Sequence, residues 1–220
     1  MRALAFLGSP RRKGNSSLLA AELLRGFREG GGQTEEVIAE GIHIRHCRGC
    51  LRCNILKQCA IRDDDWPRLS QKIQEADVLV FASPVYFHHL TAPLKNILDR
   101  FRSFFHVRIT ETGLEHTPWH KWNKDFVLAL SLGSPGEDDA RPVVDLFTYM
   151  SSMLGAGNRL HTIIGTRLAV TNQVQMTEEE LRILYGKLDL SSSLAEQDCE
   201  TNRMLLKQCH DLGKRLAKGR

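Results

Sequence analysis

The stretch Ala3-Leu4-Ala5-Phe6-Leu7-Gly8-Ser9-Pro10-Arg11-Arg12-Lys13-Gly14-Asn15-Ser16-Ser17 decides the fold. Five apolar residues stop at a glycine, a polar and cationic loop follows, and a helix-forming run, Ser16 to Glu29, begins at once. This is a buried strand fed into a helix through a tight turn, the opening of a βα unit. Working outward, apolar runs predict further strands at Glu36 to Ile44, Val78 to Ala82, Phe126 to Leu132 and Arg159 to Gly165. Helical patterns occupy Trp66 to Glu75, Pro93 to Phe105, Arg141 to Leu154 and Leu194 to Ala217, the last with Leu205, Cys209, Leu212 and Leu216 on one face. Gly30-Gly31-Gly32 reads as a helix stop, and Thr177 with Glu180 as a capping box opening a short helix at Glu178. Strands alternating with helices predict an α/β, doubly wound, five-stranded parallel sheet, whose ligands sit beyond the carboxyl ends of the strands. Function is therefore expected in the loops after strands one, three and four.

Composition sets the outer bounds. With 220 residues, 42% hydrophobic and 25% charged, the chain can bury one sizeable core, and we expect one domain over 1–220. Its additions are a cysteine-rich loop at 45–62 and rim insertions at about 106–124 and 166–193. The net charge of +4 is mild and its cations are scattered, which favours small anionic ligands over nucleic acid. The apolar start is too short for a signal peptide and no run is long enough to span a bilayer, so a cytoplasmic protein without a membrane partner is expected.

The loop Gly8 to Ser17 gathers hydroxyls, an amide and three cations where a helix begins, so free backbone N–H groups and the positive dipole end can surround a phosphate. It lacks the second glycine of a dinucleotide fingerprint, and Gly14 is followed by Asn15 rather than by the Lys-Ser/Thr of a P-loop. A polar turn in which Ser16 or Asn15 only caps the helix accounts for the same residues. After the third strand, Ser83-Pro84-Val85-Tyr86-Phe87-His88-His89 is a proline-fixed aromatic loop of the kind that holds the edge of a flat heterocycle. Tyr and Phe at a strand end also serve simply as core.

Four of the six cysteines cluster: Cys47, Cys50 and Cys53 at intervals of three, then Cys59. Such a run lets a tight loop wrap a 4Fe-4S cubane, whereas zinc knuckles want a longer spacer between their pairs. Arg45, Arg48, Arg52, Lys57 and Arg62 around it favour thiolates. Free thiols or a redox disulfide are the other readings. Cys199 and Cys209 read as small core residues of the last helix, and Asp63-Asp64-Asp65 as the cap of the helix that follows them, Trp66 to Glu75.

Taken together, Gly8-Ser9-Pro10-Arg11 with Gly14-Asn15-Ser16, then Ser83-Pro84-Val85-Tyr86, Pro93-Leu94-Lys95 and Asp99-Arg100, resembles the NADPH-dependent FMN reductase family over residues 3 to 165. The four cysteines resemble its iron-sulfur flavoprotein branch. The resemblance implies a flavodoxin-like fold of strand order 2-1-3-4-5. It implies FMN, its phosphate on Ser9, Arg11, Asn15, Ser16 and Ser17 and its ring lined by Pro84, Val85, Tyr86 and Phe87. The loop Ser131 to Glu137, with Ser131 and Gly133, closes the other edge, and Cys47, Cys50, Cys53 and Cys59 are the candidate cluster ligands. The implied protein is an FMN-dependent oxidoreductase or electron-transfer flavoprotein passing electrons between FMN and a 4Fe-4S cluster. NAD(P)H or a small redox protein serves as donor, and the assembly is a homodimer or homotetramer. A cluster-free NAD(P)H-dependent FMN or quinone reductase, and a non-enzymatic carrier or thiol sensor, are the alternatives. The segment with His106, His116, His120, Trp119 and Trp122 reads as a binding or oligomer-contact loop. The apolar helix end Phe101, Phe104 and Phe105 reads either as an intersubunit surface or as intramolecular packing.

Overall fold

The computed structural model describes residues 1–11 and 13–219; Arg12, one of the three cations of the first loop, lies outside them. The sheet contains β1 (Arg2–Leu7), β2 (Gln33–Ile38), β3 (Val78–Pro84), β6 (Asp125–Ser131) and β7 (Arg159–Gly165). All neighbours are parallel, in the order β2-β1-β3-β6-β7, the expected flavodoxin-like order. A separate antiparallel hairpin, β4 (Phe105–Thr110) and β5 (Gly113–Pro118), is inserted between β3 and β6. The helices are α1 (Asn15–Glu29), α2 (Cys53–Leu56), α3 (Trp66–Glu75), α4 (Ala92–Arg100), α5 (Arg141–Leu154), α6 (Glu178–Lys187) and α7 (Leu194–Ala217). None of them, among the described residues, is long and apolar enough to cross a membrane.

The period of two in the strands sorts the core into two unlike faces. Leu4, Phe6, Leu79, Phe81, Phe126 and Leu128 point to α3, α4 and α5, with Phe81 stacked between Phe6 and Phe126. Ala3, Ala5, Val78, Val80, Ala82 and Ala129 point to α1 and α7. The second face is built of small residues, so α1 lies close on the sheet and α7 closes over α1 in turn. The approach of the two helices is set by glycine: a Cβ on Gly213 of α7 would land on the carbonyl oxygen of Leu23 in α1.

Several expectations need correction. The second strand runs Gln33–Ile38, not Glu36 to Ile44, because its register is fixed by β1 from Arg2 opposite Gln33. It is an edge strand, so its exposed Gln33, Glu35 and Glu36 hid it, while Ile42 and Ile44 pack on the core without pairing. The helix expected over Pro93 to Phe105 ends at Arg100 and tightens into a 3₁₀ turn over Phe101–Phe104. Phe101, Phe104 and Phe105 are buried against Trp66 and Trp122, so they are core and not an intersubunit surface. The 106–124 insertion is largely the β4–β5 hairpin rather than a loop, with His116 packed between Phe105 and Tyr149. The 63–65 aspartates do more than cap: Asp65 accepts from His43 N at 2.7 Å, and Asp64 from Arg45 N at 3.0 Å. The glycine stop at Gly30, the capping box at Thr177 and Glu180, and the bounds of α7 stand as expected.

At the sheet's carboxyl end, Tyr86 and His89 exchange both backbone bonds, at 2.9 and 3.0 Å, and the two residues between them form a tight turn. Those residues are Phe87 and His88, both left-handed at φ 49° and 59° in positions that favour Asn and Gly. Left-handed backbone costs an L-residue about 1–2 kcal/mol. Phe87 is also fully exposed, so no packing offsets the strain.

Two stability measurements follow from these contacts. In urea melts, the double substitution Phe87→Asn, His88→Gly should raise the unfolding free energy by about 2 kcal/mol through relief of that strain. Gly213→Ala should lower it by about 2–3 kcal/mol, since backbone lies where the methyl group must go.

Candidate functional site

Two cavities carry the sequence's chemistry. The first, of about 280 Å³, opens where the loops after β1, β3 and β6 meet at the carboxyl edge of the sheet. Its wall includes Ser9, Arg11 and Asn15 from the first loop, Pro84, Val85 and Tyr86 from the second, and Ser131 and Gly133 from the third. Backbone and hydroxyl bonds stitch these loops together. Gly8 N donates to Ala82 O at 2.7 Å, Thr91 Oγ1 to Gly8 O at 2.8 Å, and Val85 N to Ser131 O at 3.0 Å. A Cβ on Gly8 would crowd Thr91 Oγ1, so this close approach requires glycine.

Three expected residues are not in the wall of this cavity. Ser17 lines a neighbouring cleft with Leu7, Glu36 and Ile38. Phe87 projects into solvent from its strained turn. Ser16 is buried in the first turn of α1, and its Oγ has no hydrogen-bond partner in the protein. A desolvated hydroxyl without a partner is costly, and an anion at this helix start would supply the acceptor. The first-turn N–H groups of Asn15, Ser16 and Ser17 also lack intrahelical acceptors by helix geometry. The first loop thus fits a phosphate group.

Asn15 does something the sequence did not announce. Its side chain is committed to protein: Nδ2 donates to Leu168 O at 3.1 Å and Val170 O at 2.7 Å, while Oδ1 accepts from Val174 N at 3.0 Å. Arg11 adds a bond to Ala169 O at 3.2 Å. The segment after β7, expected only to decorate the rim, is thereby drawn in, and Leu168 and Ala169 become walls of the cavity. Behind them, Asp198 receives Arg167 and the Tyr185 hydroxyl; Arg167 and Tyr185 hold this carboxylate below its ordinary range against the opposing effect of burial. Burial, with Asp198 beside it, pushes the Tyr185 phenol up to about 12, so it remains a donor. The position of this segment, directly beyond the carboxyl end of the fifth sheet strand, was the signal available in the sequence.

The second cavity, about 150 Å³, has all four clustered cysteines in its wall, with Arg48, Arg100 and Arg102. Gly49 and Leu51 sit between the thiols with φ of 63° and 54°, which folds the 47–53 run back on itself. Cys47 and Cys50 are exposed, Cys59 is half-buried and Cys53 is buried. Burial pushes the Cys53 thiol up, and the Arg102 guanidinium opposes it. Arg100 and Asp64 form a pair with both side chains fully buried, at 2.5 Å. Burial alone would raise Asp64, but Arg100 and the N–H groups of Arg45 and Trp66 outweigh it and hold the carboxyl low. The Nε–H of Arg100 is buried without an acceptor in the protein. Sulfur-rich walls and an unused donor suit an anionic iron-sulfur group. Among the described residues no three His, Cys, Asp or Glu groups converge closely enough for a single metal ion. Cys209, in contrast, is core: burial pushes it up to about 12.

The chain is similar to known proteins both in sequence and in fold. An iron-sulfur flavoprotein of Archaeoglobus fulgidus is 33% identical over 137 residues, 62% of this chain and 58% of that protein. One from Methanocaldococcus jannaschii is 37% identical over 102 residues, 46% of this chain and 52% of the relative. The chain thus spans little more than half the length of these curated relatives. Among solved structures, an NAD(P)H:quinone oxidoreductase from Methanothermobacter marburgensis superposes with a TM-score of 0.67 at 16% identity, covering 98% of both chains. An FMN-dependent NADH-azoreductase from Bacillus anthracis in complex with FMN gives 0.64 at 15%, covering 99% of this chain and 100% of that one. At such identities these structures speak for the fold alone. Residues 1–164 match the family model described as NADPH-dependent FMN reductase, and the chain belongs to that family.

Proposed function

We propose that the protein is an FMN-dependent oxidoreductase that passes electrons between FMN in the first cavity and a 4Fe-4S cluster in the second. The observation that carries this reading is that four cysteines share the wall of one cavity while three strand-end loops share the wall of another. When bound, FMN supplies the change from the two-electron oxidation of a nicotinamide to the one-electron steps of a cluster. The protein's share is binding and orientation. Ser9, Arg11 and the first turn of α1, with Ser16, hold the phosphate. Pro84, Val85 and Tyr86 line one edge of the ring, and Ser131 and Gly133 the other. Ser17 and Phe87 stand at the margins, and Asn15 fixes the loop that completes the wall.

The cavities are joined by one rigid element. The loop after β3 runs into α4, about 14 Å long at 1.5 Å per residue, and Arg100 at its end lines the cysteine cavity. The donor in this reading is NAD(P)H, oxidised to NAD(P)⁺ with release of two electrons, or a small redox protein. An assembly of two or four copies belongs to the same reading, supported by exposed Phe87, Ile109 and Leu114. Thiolates kept ready for iron call for a reducing, cytoplasmic setting.

The second reading is a cluster-free NAD(P)H-dependent FMN or quinone reductase, which needs only the cavity between the strand-end loops. Iron and sulfide assays after anaerobic reconstitution separate the two. On the first reading about four irons are retained per chain, and Cys50→Ser loses iron while keeping FMN affinity; flavin absorbance without iron establishes the second. For the phosphate site, Ser16→Ala should raise the FMN dissociation constant about tenfold, near 1.5 kcal/mol for a hydrogen bond to a charged group. It should leave the melting temperature of the flavin-free protein unchanged or higher, because an unsatisfied hydroxyl is removed. Fluorescence titration with FMN reads the first effect and calorimetry the second; unchanged affinity would remove Ser16 from the site.

A further inference from the structure

We infer that Arg102 sets the reduction potential of the cysteine-bound cluster, by holding an unneutralised guanidinium against the sulfur of Cys53. The inference rests on the cluster reading above.

Arg102 stands two residues beyond Arg100, also in the wall, and the two differ in one decisive respect. Arg100 is paired with buried Asp64, so its charge is largely cancelled where it stands. Among the described residues no carboxylate pairs with Arg102. Its Nη1 lies 3.5 Å from Cys53 Sγ and donates at 3.0 Å to Phe105 O, and its Nη2 donates at 3.0 Å to Asn54 Oδ1. Two oxygens therefore fix the plane of the guanidinium before any sulfur ligates a metal. Cys53 as a thiol donates weakly to Arg102 O at 3.8 Å. As a thiolate ligand it loses that donor and becomes the acceptor of the Nη1–H.

The brace is itself held. Asn54 donates through Nδ2 to Val107 O at 2.8 Å and accepts from Val107 N at 3.0 Å, pairing with β4 as a strand residue would. The β4–β5 hairpin thereby reaches the cysteine loop through Asn54 and sets the angle at which Arg102 meets the sulfur. Adding an electron to a cluster makes its sulfurs more negative, and a fixed N–H donor with a net positive charge stabilises that reduced form more than the oxidised one. Arg102 consequently raises the potential. The other cation of the wall, Arg48, is exposed and screened by water.

The test uses the full chain, reconstituted anaerobically with iron and sulfide and loaded with FMN, in an EPR-monitored redox titration. Arg102→Gln removes the charge and should lower the cluster midpoint by at least the equivalent of a tenfold change in the reduced-to-oxidised ratio, about 59 mV for one electron. The flavin midpoint in the same sample should stay in place. Arg102→Lys keeps the charge and should recover more than half of the shift. A wild-type midpoint in the Gln variant, or a Lys variant as low as the Gln variant, overturns the assignment. Should the Gln variant take up no iron, Asn54→Ala carries the test: releasing the guanidinium lowers the midpoint by a smaller step, and an unmoved midpoint overturns the inference. Wild-type protein that takes up no iron overturns the cluster reading and this inference with it, whereas loaded proteins of equal potential overturn this inference alone.

Discussion

One buried amide organises the carboxyl end of the sheet. Asn15 lies in the first turn of α1 and bonds three backbone groups of a segment more than 150 residues away in the chain. Two donors and an acceptor are all used, so the amide can neither rotate nor be replaced by a carboxylate without leaving a buried group unmet. The first loop consequently holds its shape because the far segment holds it, and the far segment becomes a wall because the first loop claims it. The cavity between the strand-end loops is a product of that mutual constraint.

The same economy governs the cysteine side. The 47–53 run has little regular structure of its own, only the four-residue α2 beginning at Cys53. Its position is borrowed from neighbours: Asn96 bonds Ile44 O at 2.6 Å and His46 at 3.0 Å, Arg100 bonds Arg45 O and Ile61 O, and Asn54 pairs with Val107. Most of these partners sit on α4 or immediately after it, so the helix that follows the second strand-end loop also carries the cysteine loop.

What could be read in the sequence was whatever depends on local period and spacing. The alternation of Ala3, Ala5 against Leu4, Phe6 gave away β1, and the triplet spacing of Cys47, Cys50 and Cys53 gave away a common site. What could not be read depends on distant partners. The exposed edge strand β2 carries hydrophilic residues because it has one neighbour, and so it resembled a loop. The β4–β5 hairpin was obscured by its histidines and by the tryptophans that follow it, which invited a chemical reading, although His116 and Trp122 serve packing. Asn15 looked like a ligand because amides at helix starts often are; only the folded partner segment shows where its hydrogen bonds go.

The packing of α7 on α1 has a consequence for how the chain is divided. The family match ends at residue 164, and α7 begins at Leu194. Yet Leu19, Leu23, Leu24 and Phe27, on the helix whose start forms the anion cradle, share one buried cluster with Cys209, Leu212 and Leu216. The segment that carries the family's motifs and the segment that folds as one unit are therefore of different length. A gene fragment cut at residue 164 would encode the motif loops on a helix that had lost the apolar cover α7 gives it, with part of its greasy face in water.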